Sequence, residues 1–146
     1  MAKKSGIKDL KGFKTKLKKR IVDNPQDHVK DLVRKSATLV EGTIIELLNQ
    51  PGTGITYQKY QPRREHTASA KGEPPAKDQG ILVNSISISV REEKNAVVGK
   101  IIASADYAPF LEFGTSKIEK RPFMQPGLER NRPQIKRIFK KGGYVD

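Results

Sequence analysis

His66 stands one residue after Glu65 and three residues before Ser69, and these residue types can act as a general base and a nucleophile. The serine nucleophile of many hydrolases lies on a sharp turn between a strand and a helix, and no such pattern surrounds Ser69 or His66. Glu92 and Glu93 form an acidic pair, but they fall in a predicted turn, where solvent keeps both carboxylates ionised. We therefore predict no catalytic residue and expect a protein that is not an enzyme.

Residues that bind metals and cofactors are also scarce. The chain of 146 residues has no cysteine, and its two histidines are 38 positions apart, which argues against a zinc site. Gly52-Thr53-Gly54 is too short for a phosphate-binding loop, so we interpret it as the end of a helix. No apolar run approaches the roughly 18 residues of a membrane span, and no signal-peptide core follows the lysine-rich start. We expect one soluble, unprocessed domain without metal or cofactor.

The positive charge is concentrated at the two ends of the chain. Of a formal net charge of +13, residues 1–22 contribute nine Lys/Arg and one Asp, and residues 117–141 contribute nine Lys/Arg and two Glu. Such ends either are simply solvated or attract nucleic acid, an anionic membrane or an acidic protein. Recognised nucleic-acid-binding motifs are absent, so any contact with DNA would depend on charge. The candidate polyanion contacts are Lys14, Lys16, Lys18, Lys19, Arg20, Lys136, Arg137, Lys140 and Lys141.

Two helices are predicted in the first third of the chain. Apolar residues recur at helical spacing among the lysines of residues 1–22, which predicts a basic amphipathic arm. Its docking site is a partner, the domain's own core or a membrane, and the narrow apolar stripe without a Trp favours docking on a protein. Asn24 and Pro25 form a helix start, and the apolar residues that follow keep a 3.6-residue period until Pro51-Gly52. A long helix over residues 25–50 is the consequence, and its apolar stripe must be buried.

The centre of the chain is predicted to hold a loop and a hairpin. Residues 51–80 are rich in Gly, Pro, Ser, Lys and Gln, and only residues 55–60 suggest a strand, so we predict an extended loop that reaches a neighbouring subunit. Residues 86–90 alternate between apolar and polar, and residues 96–104 are mostly apolar. This pattern predicts an antiparallel hairpin within residues 81–104.

An aromatic helix follows the hairpin. Tyr107, Phe110 and Leu111 fall at i, i+3 and i+4, which predicts a short helix that Gly114 ends with a left-handed backbone. We interpret these side chains, together with Phe113, as an aromatic corner that closes a small core.

The prolines of the last third predict a turn and a final helix. Pro122 and Pro126 lack a backbone donor, which favours a rigid turn and then the first position of a basic helix reaching to about Lys140. Pro133 is predicted to kink or split that helix. The whole pattern predicts one α+β domain, in which a long N-terminal helix and a C-terminal helix pack on a small antiparallel sheet. A basic N-terminal arm (1–22) and a long central loop project from it.

Two stretches of the sequence resemble one phage family. They are Tyr107-Ala108-Pro109-Phe110-Leu111-Glu112-Phe113-Gly114-Thr115 with Arg121-Pro122-Phe123-Met124-Gln125-Pro126, and the loop from Ala68-Ser69 through Pro74-Pro75 to Asp78-Gln79-Gly80-Ile81-Leu82. Both are similar to motifs of the HK-ninety-seven gene-product-ten-like tail-component family, the neck or tail-completion proteins of long-tailed phages. Gln79 replaces the usual threonine, and Gly127 stands where an alanine is common.

The resemblance implies a structural virion protein of the neck, a head-tail joining component that forms a homo-oligomeric ring between connector and tail. Its implied partners are further copies of itself, connector or head-completion proteins and tail-terminator or tail-tube proteins, with double-stranded DNA in the channel as a further candidate. It implies a place in the virion neck, and in the host cytoplasm during assembly. The structural or interface residues that it marks are Tyr107, Ala108, Phe110, Glu112, Phe113, Gly114, Thr115, Arg121, Pro122, Phe123 and Pro126.

Charge alone favours a different class of protein. A basic protein without enzymatic activity could bind nucleic acid through phosphate contacts, as a ribosome-associated or nucleoid protein does. That alternative stays open at this point. A small hydrolase or nuclease has no candidate site in the sequence.

Overall fold

A computed structural model describes residues 25–61 and 63–144 of the chain. The basic arm predicted for residues 1–22, with the candidate contacts Lys14 to Arg20, lies outside the described residues.

Helix α1 (Pro25–Asn49) is the long helix that the sequence predicts. Pro25 takes its first position, where the missing backbone donor has no cost. The largest fully buried side chains of α1 are Val40, Ile44, Leu47 and Leu48, all on the predicted apolar stripe. Because these residues recur every three or four positions, they face one side of the helix and form the centre of the core.

The segment predicted as an extended loop contains an antiparallel hairpin of strands β1 (Thr56–Tyr60) and β2 (Arg63–Thr67). The sequence predicts the first strand only. Strand β2 is entirely polar and so lacks the apolar alternation that marks a half-buried strand. Polar cross-strand pairs hold it to β1, with 2.8 Å between the Thr56 and Thr67 hydroxyls.

The second predicted hairpin forms with its two strands at the predicted positions, and a short helix precedes it. Residues Ile81–Asn84 form the short helix α2, and only then do strands β3 (Ile86–Glu93) and β4 (Ala96–Ala103) pair in antiparallel register. The chain enters α2 from Gly80, whose φ of 79° suits glycine. Both strands pack against α1. A Cβ on Gly99 of β4 would lie 2.8 Å from Cγ1 of Val33, so glycine permits this close approach.

Two helices complete the fold, α3 (Ala108–Phe113) and α4 (Met124–Lys141). Helix α4 begins two residues before the predicted start at Pro126. It continues through Pro133, so this proline does not split it, and the predicted alternative of a kink stays a prediction. Gly114 ends α3 with the predicted positive φ of 74°, but its ψ is 177°, which is extended rather than left-handed helical. Such a conformation is nearly restricted to glycine.

Helix α4 lies antiparallel to α1. A Cβ on Gly127 would overlap the Ile44 side chain, and a Cβ on Gly142 would overlap that of Leu32. Between these two contacts the buried amide of Asn131 donates to Thr43 Oγ1 at 2.8 Å and to the Gly127 carbonyl at 2.7 Å. Gly127 is therefore required by the close packing of the two helices, which offsets its low helix propensity.

The core joins all the helices to the β3–β4 hairpin. Its buried cluster consists of Val40, Ile44, Leu48, Leu82, Ile86, Ala108 and Phe123. The predicted α+β class is confirmed, with two separate two-stranded sheets in place of one. Among the described residues, no helix is long and apolar enough to cross a membrane.

Candidate assembly site

The carboxylate of Glu112 connects the two halves of the aromatic motif. Its Oε2 accepts the backbone N–H groups of Phe123 at 2.8 Å and Met124 at 3.0 Å, and its Oε1 accepts that of Gln125 at 3.0 Å. Phe123 occupies the N-cap position of α4 and offers no side-chain acceptor. Glu112 thus satisfies donors that a local cap would normally satisfy, and its negative charge faces the positive end of the helix. This arrangement explains why α4 begins before Pro126.

The turn between α3 and α4 is held by backbone bonds. The Arg121 N–H donates to the Leu111 carbonyl at 2.7 Å, and the Thr115 N–H donates to the Ile118 carbonyl at 2.8 Å. The Thr115 hydroxyl in turn accepts the Ile118 N–H at 2.9 Å. A Cβ on Gly114 would lie 2.9 Å from the Lys120 nitrogen, so the turn needs glycine there.

Arg121 connects this turn to the loop motif that lies 52 residues upstream. Its guanidinium donates to the Ser69 carbonyl at 2.6 Å and also to the Ser69 hydroxyl. Ser69 is buried. The two stretches that resemble the phage family are therefore in direct contact in the folded chain.

Glu73 organises the loop around Ser69. Its carboxylate accepts the Ala70 N–H at 2.8 Å, the Thr53 N–H at 3.2 Å and the Thr53 hydroxyl. The hydrogen bond from the Thr53 hydroxyl is the largest cause that lowers the pKa of Glu73. The two backbone N–H groups and the positive charge of Arg121 lower this pKa further. Gly54 donates to the Ala68 carbonyl at 2.8 Å. The Gly-Thr-Gly stretch, which the sequence analysis interprets only as a helix end, is thus part of the loop's support.

Asp78 attaches the β1–β2 hairpin to the same loop. Its carboxylate pairs with Lys59 of β1 and Arg64 of β2, and it lies 3.9 Å from Nδ1 of His66. The hydrogen bond from Lys59 and the positive charges of Arg64 and Lys59 lower the pKa of Asp78. Sequence periodicity does not predict this role or that of Glu73, because both depend on contacts between distant polar residues.

The aromatic side chains of α3 point outward, which corrects part of the core interpretation. The exposed fractions are 41% for Tyr107, 52% for Phe110 and 79% for Phe113, whereas Phe123 is 0% exposed. Ala108 and Glu112 take the inward positions of α3, so Phe110 and Phe113 are left on the outer side. We call Tyr107, Phe110 and Phe113 the aromatic stripe. Of the four aromatic rings Tyr107, Phe110, Phe113 and Phe123, only that of Phe123 is buried in the core, while Leu111 packs against it.

A groove of about 560 Å³ lies beside the aromatic stripe. Tyr107 forms part of its wall, together with Leu111 of α3 and Ile118 of the following turn. On the opposite side Tyr57 and His66 of the β1–β2 hairpin line it. Residues of both family motifs, of the β1–β2 hairpin and of the aromatic stripe therefore line the same groove.

The residues considered for catalysis have other partners. His66 packs edge-on against Tyr57 with 5.6 Å between ring centroids, and Ser69 binds Arg121. Glu92 pairs with Lys30 of α1. Within residues 25–61 and 63–144, no group of three or more His, Cys, Asp or Glu could hold a metal ion.

The C-terminal candidates for polyanion contact lie together on α4. Lys136, Arg137, Lys140 and Lys141 are all exposed on its last two turns.

A small α+β domain with a polar scaffold behind an outward apolar surface is typical of a protein that assembles with others. The family model described as "Bacteriophage HK97-gp10, putative tail-component" matches residues 11–114 of the chain. The chain belongs to this family, as the resemblance predicted, and it is accordingly a phage tail component and a structural protein. The match ends at Gly114 and leaves out the Arg121 segment. No curated protein and no solved structure is significantly similar to the chain.

Proposed function

We propose that the protein is a neck component that completes the tail and joins it to the head, and that it acts as a homo-oligomeric ring between connector and tail. Membership of the tail-component family supports the structural role. The observation that carries the assembly proposal is the aromatic stripe of Tyr107, Phe110 and Phe113.

The stripe is exposed but firmly held. The side chain of Phe113 is 79% exposed. Its two neighbours in the chain are held in place, because Gly114 has a backbone conformation that is nearly restricted to glycine and Glu112 caps α4. Three aromatic rings on so rigid a support lose little conformational freedom when a partner covers them. Aromatic side chains are enriched at the centres of protein interfaces. The stripe is therefore a contact between subunits.

A closed ring needs two different surfaces on each subunit. The β1–β2 hairpin supplies the second surface, because it carries Ile55 at 80% and Tyr60 at 79% exposure. Asp78 holds the Lys59 and Arg64 pair, which lies next to the Tyr60 and Arg63 pair at the tip, and Tyr60 itself remains exposed. In the proposed ring the hairpin of one subunit reaches the stripe and groove of the next.

The function is tested with a phage that lacks this chain. We expect such a phage to package DNA and to build tails, but to yield few joined, infectious particles in electron micrographs of the lysate. Purified protein added to the lysate should restore joining. Normal numbers of infectious virions would refute the proposal, and a packaging or replication defect without separated heads and tails would favour the nucleic-acid-binding alternative.

The assembly role of the stripe is tested with a matched pair of phenylalanines. Phe113→Ala should leave the melting temperature nearly unchanged, because the phenyl group is exposed in the free chain. The same substitution should abolish incorporation into particles. Phe123→Ala should lower the free energy of unfolding by about 3 to 5 kcal/mol, because that ring fills the core. If Phe113→Ala protein melts normally and still enters particles at the wild-type level, the stripe is not a subunit contact.

A further inference from the structure

The outer face of α4 is a continuous basic surface. Between residues 130 and 144 the chain has six Lys/Arg and no carboxylate. Of these, Lys136, Arg137, Lys140 and Lys141 are exposed, and none of them forms an ion pair within the described residues. We call these four residues the α4 basic face.

Helix electrostatics explain only half of this face. Cations in the last turn of a helix are favourable because they face the negative end of its dipole, and Lys140 and Lys141 lie there. The effect falls off within one turn, so Lys136 and Arg137 gain little from it. Neighbouring cations without ion-pair partners repel each other. Helix electrostatics therefore do not explain why Lys136 and Arg137 occupy these positions.

The chemistry of this face suits phosphates better than a protein or a membrane. Its surroundings on α4 are polar, and the apolar Ile135 and Ile138 turn toward α1 and are partly buried. A protein interface usually has an apolar centre, which the aromatic stripe offers and this face does not. A helix that binds a membrane needs an apolar side that no other element covers, whereas the apolar side of α4 packs against α1. Phosphate contacts need only exposed Lys and Arg.

The α4 basic face leads to the end of α4, which lies beside the start of α1. The Tyr144 hydroxyl donates to the Pro25 carbonyl at 3.3 Å, and the Tyr144 ring stacks on His28 with 5.6 Å between centroids. Nε2 of His28 also lies 3.3 Å from the Gly142 carbonyl. The end of α4 is thus fixed beside the start of α1, which continues directly from the segment with Lys14 to Arg20. The carboxylates at this end, Asp27 and Asp31, both have partners of their own.

We propose that the α4 basic face binds the phosphate backbone of double-stranded DNA without sequence preference. The binding goes beyond the joining function and does not depend on ring formation or on the neck position. Each lysine or arginine that contacts a phosphate releases a counterion, so the affinity falls steeply with salt. Four contacts predict a slope of log K against log salt of about −3.6, and contacts from the N-terminal segment make it steeper.

The test compares two triple variants of the full chain that lose the same charge. Lys136→Gln, Arg137→Gln and Lys140→Gln alter the proposed face, whereas Lys94→Gln, Lys100→Gln and Lys117→Gln alter exposed lysines elsewhere. Binding of a labelled, mixed-sequence DNA duplex is followed by fluorescence anisotropy over a series of sodium chloride concentrations. We expect the first variant to flatten the salt slope by about 2 to 3 and the second to leave it nearly unchanged.

Three results would overturn the proposal. Equal losses in the two variants would mean that net charge alone attracts DNA. If the wild-type protein does not bind DNA at low salt, the proposed DNA-binding activity does not exist. Displacement of the duplex by polyglutamate as readily as by unlabelled DNA would point to an acidic protein as the partner. Circular dichroism melting of both variants confirms that they are folded before binding is compared, and a phage-joining assay with the first variant separates DNA binding from head-tail joining.

Discussion

At the level of single residues, Glu112 determines where α4 can begin. The N-cap position of α4 is held by Phe123, which has no acceptor, and three backbone N–H groups bond instead to a carboxylate 11 to 13 residues earlier in the chain. Because the same glutamate lies inside α3, its bonds also fix the angle between α3 and α4. The aromatic stripe is therefore positioned by a capping interaction and not by burial of its own rings.

Removal of the Glu112 carboxylate should destabilise the protein measurably. Hydrogen bonds to a charged acceptor contribute about 1.5 to 3 kcal/mol, so we expect Glu112→Ala to lower the free energy of unfolding by about that amount. Glu129→Ala is the control, because this glutamate of α4 forms a surface ion pair with exposed Arg132. Urea unfolding measures both. Equal losses of stability in the two variants would show that the cap is unimportant.

The sequence marked several residues of this site but did not predict what they contact. Glu112, Gly114 and Arg121 were marked by the family resemblance, and the glycine by its need for a positive φ. The bond from Arg121 to Ser69 spans 52 positions, and local periodicity carries no information about pairs so far apart. The outward direction of Phe113 was missed for a related reason. Apolar character predicts burial but does not say whether the cover comes from the same chain or from a partner.

At the level of elements, the close contact of α1 with α4 depends on glycine in α4. A Cβ on Gly127 would overlap Ile44, a residue that is 1% exposed and has no room to move. Gly42 of α1 is also helical, but its position is exposed and nothing lies within 4 Å of a Cβ built there. The two glycines thus differ in packing and not in helix propensity.

This difference predicts opposite effects of the same substitution. Gly42→Ala should stabilise the protein by about 0.5 to 1 kcal/mol, because alanine favours the helix. Gly127→Ala should destabilise it by about 1 to 3 kcal/mol, because overpacking in the core outweighs the gain in propensity. Thermal and urea unfolding compare them. A stabilised Gly127→Ala protein would mean that the two helices can move apart at little cost.

The β1–β2 hairpin depends on charge more than on apolar burial. Asp78 pairs with Lys59 and Arg64, one from each strand, while Tyr60 remains 79% exposed. This is the reason that the sequence predicted an extended loop here and missed β2. Hydrophobic patterning is the main signal of a strand, and this hairpin has little of it.

The hairpin should loosen in acid. Lys59 and Arg64 lower the pKa of Asp78, so the stabilising pairs are fully present above the ordinary aspartate value of about 4 and are lost as the pH falls toward the lowered pKa. Hydrogen exchange of residues 56–67 should accelerate over this range. Asp78→Asn should show fast exchange at neutral pH and little further change in acid. Unchanged protection in that variant would show that other contacts hold the hairpin.

At the level of the whole molecule, the two proposed contact surfaces lie at opposite ends of α1. The groove beside the aromatic stripe is lined by Leu48, near the end of α1, and the α4 basic face occupies the last two turns of α4, which end beside the start of α1. Helix α1 itself, with 25 residues at 1.5 Å per residue, is roughly 36 Å long. A subunit can therefore contact a neighbouring subunit and a polyanion at the same time. The charge pattern predicted the basic residues of α4, and only the fold shows that the end of α4 lies beside the start of α1.

The N-terminal segment should act together with the α4 basic face. Lys16→Gln, Lys18→Gln and Lys19→Gln should flatten the salt slope of DNA binding by about 2 to 3 if each lysine contacts a phosphate. The segment precedes Pro25 in the sequence, and Pro25 lies beside Tyr144, so we expect one duplex to reach both clusters. The six substitutions together should then flatten the slope by about the sum of the two triple variants. Anisotropy titrations at several salt concentrations measure all three proteins. A full wild-type slope in the N-terminal variant would exclude those lysines from the DNA contact, and the segment's apolar residues would then favour its other predicted role, docking on a protein partner.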